Sequence, residues 1–204
     1  MVTKRVGSSV QQDLLESVRE GAGALAGHIA AAAKNGVWPA RGPGNDLPER
    51  NLCFHVATAL EHRGYCAYFE FDHGKRNAQR IDLVAIRWTK PARAVCCEFK
   101  LLYQKADAAD AMAYDVVEKL KKFVVRRESG EVLPLQTARA VLGSSWKWPS
   151  KFDVGAWWAS DLKSSKPRWS KLAAALQGTT RKVHSFKHFD SAHQQTQQIV
   201  VAVW

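Results

Sequence analysis

This chain is short of the features that would place it in several common classes. Its most apolar stretch, Gly21 to Ala33, is rich in Ala and Gly and is interrupted by His28. That falls well below the ~20 residues a membrane helix needs, so no membrane association is expected. No signal peptide is readable, and a cytoplasmic location is the expectation. Cysteine is scarce, with four in all, at 53, 66, 96 and 97, and none in a CxxC pair. A disulfide framework or a cysteine-based zinc site is therefore not expected. Glycines are scattered and form no GxxxxGK phosphate loop. Internal repeats are absent. Acids are few, 19 against 30 Lys and Arg.

What the chain does have is positive charge. The net charge is +11 and the pI about 9.7, which suits an acidic polymer as partner. From Val132 onward ten Lys and Arg face three acids, so that stretch carries seven of the eleven net charges. It also holds six of the eight tryptophans, at 146, 148, 157, 158, 169 and 204. Cations interleaved with flat aromatics suit a phosphate backbone with exposed bases. Lys147, Lys151, Lys163, Lys166, Arg168, Arg181 and Lys182 are the candidate nucleic-acid contacts. At least half of the tryptophans are expected in the core instead.

The pattern reads as a mixed α/β chain. Ser8 or Ser9 can cap a first helix running to about Lys34, although its glycines at 21, 23 and 27 count against it. The Pro- and Gly-rich stretch from Trp38 to Asn45 separates this N-terminal helical extension, residues 1–45, from a main domain at 46–204. A second helix is expected from Leu47-Pro48 to about Arg63, with Glu49 on the same stripe as Leu52, Val56 and Leu60. Three strands follow, Tyr65 to Phe71, Arg80 to Trp88 and Ala94 to Leu102. A long helix from Ala106 to Arg127 would put Val116, Leu120 and Phe123 on its apolar side and Lys119, Lys122 and Arg126 on another. Further strands are expected at Ala138 to Leu142 and Gln198 to Trp204. The region from Ser144 to Lys171 has no clear period.

Asp82 lies inside the apolar run Ile-Asp-Leu-Val, and Glu98 inside Cys-Cys-Glu-Phe-Lys-Leu-Leu. A carboxylate in such a run is costly unless paired. Strand alternation puts Glu98 and Lys100 on one face, and a hairpin between the two strands would bring Asp82 to it. Two close carboxylates call for a hard cation such as Mg²⁺ or Mn²⁺, which can polarise a phosphodiester and ionise a water. A lysine beside the ion can orient that water or hold the phosphate. The bland alternative is a salt bridge between Glu98 and Lys100 in a half-buried sheet.

The order of helix, three strands, helix and strand, with these residues in it, resembles the PD-(D/E)xK, or restriction-endonuclease-like, nuclease superfamily. The resemblance covers Leu47 to Leu142. Asp82 matches the superfamily's metal-binding aspartate, Glu98 the acid and Lys100 the lysine of its (D/E)xK element. Glu49 matches its helical glutamate. The proline of the first motif is missing, since Arg80-Ile81 precedes Asp82. The resemblance implies a restriction-endonuclease-like core, with a mixed sheet flanked by helices. It implies a Mg²⁺-dependent endonuclease or other hydrolase, with Asp82 and Glu98 as metal ligands and DNA as partner, and it permits a homodimer. The competing expectations are a catalytically silent nuclease-fold protein that binds nucleic acid or a protein, and a basic interaction protein in which Asp82 and Glu98 lie far apart. His184-x-x-x-His188 has zinc-like spacing but no cysteine pair beside it.

Overall fold

The structure, a computed structural model, describes residues 9–35, 49–71, 80–102, 106–147, 152–162, 167–189 and 194–204. Six strands form one mixed sheet in the order β1-β2-β3-β4-β6-β5. They are β1 (Cys66–Phe71), β2 (Ile81–Arg87), β3 (Arg93–Leu101), β4 (Gln136–Lys147), β5 (Thr180–Phe189) and β6 (Gln194–Val203). The first three are antiparallel neighbours, β4 runs parallel to β3, and β6 and β5 complete the sheet antiparallel. The parallel step from β3 to β4 needs a crossover, which is made by α3 (Ala106–Tyr114) and the turns after it.

Helices cover both faces. On one side α1 (Val10–Lys34) and α2 (Glu49–Glu61) bury Leu14, Val18, Leu25, Ile29, Val56 and Leu60 against Leu83, Val95, Phe99 and Leu142 of the sheet. On the other side α3, α4 (Val154–Ala159) and α5 (Pro167–Ala175) cover Val84, Ile86, Cys96, Val141 and Val200. Both faces being covered explains why the central strands are mostly apolar on both sides, with Asp82, Glu98 and Arg139 as charged exceptions. Cys96 and Cys97 point to opposite sides, yet both are fully buried.

The helix expected as an extension shares this core. Ser9 caps α1, its hydroxyl accepting from the Gln12 N–H at 3.1 Å. Asp13, nearly buried, receives the Tyr65 hydroxyl at 2.9 Å, Arg93 at 3.1 Å and Arg87 at 3.3 Å, all on one carboxylate oxygen. Gly21 has a packing reason. A Cβ there would lie 2.8 Å from the Val56 nitrogen and 2.9 Å from the His55 carbonyl carbon, so glycine is what lets α1 and α2 approach.

The second long helix differs from its sequence reading. It is α-helical only to Tyr114, continues as a π turn at Asp115–Lys119 and a 3₁₀ turn at Leu120–Lys122, and stops short of Arg127. Arg139 on β4 accounts for the stop: its guanidinium donates to the Leu120 carbonyl at 2.8 Å and the Phe123 carbonyl at 3.1 Å, satisfying the last turn.

Candidate active site

The site forms where β2 and β3 part. Their paired register runs from Arg87↔Arg93 to Leu83↔Cys97 and goes no further. At the next position the Asp82 carboxylate takes the Phe99 backbone N–H at 2.8 Å. A side chain thus replaces a ladder bond, and the carboxylate is fixed beside Glu98. The Cys53 thiol of α2 donates to the Asp82 carbonyl at 3.8 Å, tying the helix to this strand end. Burial first, then Asp82, Glu70 and Glu98, pushes that thiol up to about 12, so it is a packing group and not a nucleophile.

Glu98 is fully buried on the α3 side of β3. Lys119 from the π turn lies 3.3 Å from each of its oxygens, and Lys100 lies 4.0 Å from one. Asp115 ties the two lysines together, at 3.0 Å from Lys100 and 2.9 Å from Lys119. The acids Glu98 and Asp115 and the two ammoniums form one compact cluster. Burial raises Glu98 to about 9, with repulsion from Asp82 and Asp115 adding and Lys119 and Lys100 opposing. Lys119 is also raised: burial works against its charge, but its hydrogen bond to Asp115 and the attraction of Glu98 prevail. Lys119 is therefore held as an ammonium, while Glu98 is pushed toward its protonated form.

Asp115 and Lys119 were not legible as site residues. Their i, i+4 spacing reads as an ordinary solvated helix pair. The π turn brings both onto β3, and π turns frequently mark functional sites.

On the α2 side, Asp82 borders a cleft of about 470 Å³ together with Arg50, Cys53, Phe54, Phe69, Glu70 and Phe99. Glu70 has φ of +52°, in the left-handed region, which costs a non-glycine residue on the order of 1–3 kcal/mol. The kink breaks the alternation of β1. Phe71 packs into the α3-side core, while Phe69 stays half exposed.

The remaining candidates fall into three groups. Glu49 opens α2, but its side chain lies outside the described residues, as do those of Lys151, Lys163, Lys166 and Arg168. Lys147 pairs with Asp153 at 2.6 Å, and Arg181 donates to the Trp158 carbonyl at 2.9 Å, so both have internal partners. Lys182 is exposed on β5. Trp146, Trp157, Trp158 and Trp169 are buried and belong to the two cores. His184 and His188 share a face of β5 but sit roughly 13 Å apart along the strand, too far for one ion.

Among the described residues no group of three His, Cys, Asp or Glu gathers closely enough to hold an ion. The donor chemistry of Asp82 and Glu98 nonetheless fits a hard divalent cation. Both offer carboxylate oxygens, and their repulsion is of the kind such a cation relieves. Among the described residues, Lys119 supplies the positive charge nearest Glu98. No helix among the described residues is long and apolar enough to cross a membrane. Comparison with family models, curated proteins and solved structures returned no match for this chain.

Proposed function

We propose that this chain is a metal-dependent nuclease of the PD-(D/E)xK kind, with DNA as its substrate. The observation that carries the reading is the anchoring of Asp82 on the Phe99 N–H, one residue from Glu98 and near enough to repel it, while Lys100 lies 4.0 Å from Glu98 at the parted end of β2 and β3. The order α2, antiparallel β1-β2-β3, α3 and parallel β4 supports it, being the order of helix, three strands, helix and strand on which the resemblance rests. Asp82 and Glu98 would hold the Mg²⁺ or Mn²⁺, with Glu49 as a further acid. When bound, that ion supplies Lewis-acid polarisation of the phosphodiester and a water of lowered pKa. Lys100 contributes a fixed ammonium that can hold the scissile phosphate or orient the water, and Asp115 keeps it in place. The net charge of +11 draws the polyanion in.

One observation favours a second reading, a nuclease-fold protein that binds without cutting. Lys119 already occupies the place of a cation beside Glu98, with its ammonium equidistant from both oxygens. Purified protein is to be tested on linear, circular and single-stranded DNA and on RNA, each with Mg²⁺, Mn²⁺ or chelator. Lys100→Ala is expected to lose cleavage by about 100-fold or more while keeping substrate binding. Asp82→Asn is expected to lose metal binding and cleavage together. Binding of DNA with no cleavage under any condition would hand the case to the second reading.

A further inference from the structure

The structure assigns the cleft beside Asp82 as a receptor for an unpaired nucleobase, so that single-stranded nucleic acid, or a duplex end that frays to it, is the preferred ligand. This deepens the nuclease reading and rests on it only for the placement of the backbone at Asp82. Phe54 on α2 is 59% exposed and Phe69 on β1 is 50% exposed, and both line the same cleft. Large exposed rings gathered in one place mark a binding surface. The tryptophans that the sequence offered as stacking platforms are mostly buried, so these phenylalanines take their place.

The volume of about 470 Å³ falls in the ordinary range of small-ligand sites. The surrounding charge is right for a nucleotide. Arg50, which lines the cleft, and Arg80, with side chains 89% and 63% exposed, approach the lining residue Glu70 only to 3.8 and 3.9 Å. Their guanidiniums are thus available to phosphates, while one acid offsets part of their mutual repulsion. An aromatic wall with a cationic rim suits a base on a charged backbone. A base within a duplex cannot offer its face to these rings without being flipped, which costs it pairing and stacking.

The test uses the full-length protein in chelator, with a short oligonucleotide carrying 2-aminopurine, as DNA and as RNA, single-stranded and as a blunt duplex. Stacking on the rings should quench the 2-aminopurine of single strands. Phe54→Leu and Phe69→Leu should each weaken single-strand binding roughly 5- to 100-fold and abolish the quench. Phe54→Tyr and Phe69→Tyr should retain both, and blunt-duplex affinity should be unchanged throughout. Both side chains are exposed, so the folds should survive, as a thermal melt will verify. Equal single-strand affinity in the leucine variants overturns the assignment. So does a leucine variant that splits a dimer of the native chain while leaving single-strand affinity intact, because the rings would then serve a subunit contact. Cleavage is not read in this assay, so failure of the nuclease reading would leave its outcome standing.

Discussion

Replacing Lys119 with Met tests how the buried cluster is held together. Lys119 is 16% exposed and faces Glu98, 0% exposed, at 3.3 Å and Asp115, 6% exposed, at 2.9 Å. Removing it leaves Lys100, among the described residues, between two acids, 3.0 Å from Asp115 and 4.0 Å from Glu98, with Asp82 repelling Glu98 from beyond. Losing one member of a buried ion pair costs about 3–5 kcal/mol. Glu98, already pushed toward its protonated form, limits this, so about 2–4 kcal/mol is expected. For a chain of this size that lowers Tm by roughly 5–15 °C. Lys122→Met is the control: its pair with Glu118 is half exposed and should contribute less than about 1 kcal/mol. In a double-mutant cycle, Glu98→Gln with Lys119→Met should recover about 1 kcal/mol or more relative to additivity. Mn²⁺ should raise the Tm of Lys119→Met more than that of the native chain, since an ion then replaces the lost charge. A shift below about 2 °C, or strict additivity in the cycle, would show that Lys119 does not hold Glu98.

Asp13→Ala should cost about 3–5 kcal/mol in a denaturant melt, because it leaves Arg87 and Arg93 facing a buried site without their acid. Gly21→Val should lose about 1–3 kcal/mol by forcing α1 away from the His55–Val56 backbone, with Gly23→Ala, where the space is open, as the tolerated comparison. Burial lowers the pKa of His188, His184 and His55, with neighbouring groups modifying each. The unfolded chain therefore binds more protons below about pH 6.5, and stability should fall as pH drops through that value toward the lowered folded pKa values. His188→Phe should flatten that fall in melts taken between pH 7 and 5; an unchanged slope would refute the assignment.

How much could be read from the sequence depended on how local each signal was. Asp82, Glu98 and Lys100 stood out because charge inside an apolar strand run is conspicuous, and the Ser8-Ser9 pair announced the first helix, with Ser9 the one that caps it. The glycines of α1 argued against a helix, since their cost is intrinsic. Gly21's compensation lies in a contact with α2, which no local pattern carries. The π turn was invisible for a related reason: it rephases Asp115 and Lys119 onto β3 without changing which residue types occur. The edge strand β5 was missed because Arg181, Lys182, His184 and Lys187 hide its period, although charges on an edge strand discourage pairing with other chains. The two short helices α4 and α5 are too short to stand out, at 6 and 9 residues, and are held together by their own Trp157 and Trp169, whose ring centroids lie 4.7 Å apart.

The embedding of α1 has a consequence for what happens if the backbone is severed. A single nick between Asn35 and Glu49 would not release a spare appendage. The freed helix would still carry the apolar stripe of Leu14, Val18, Leu25 and Ile29 that the sheet requires, and the acid that Tyr65, Arg87 and Arg93 require. The two pieces would stay in complex, and synthesised apart they should find each other, as a fragment pair whose affinity reports directly on the buried contacts between them.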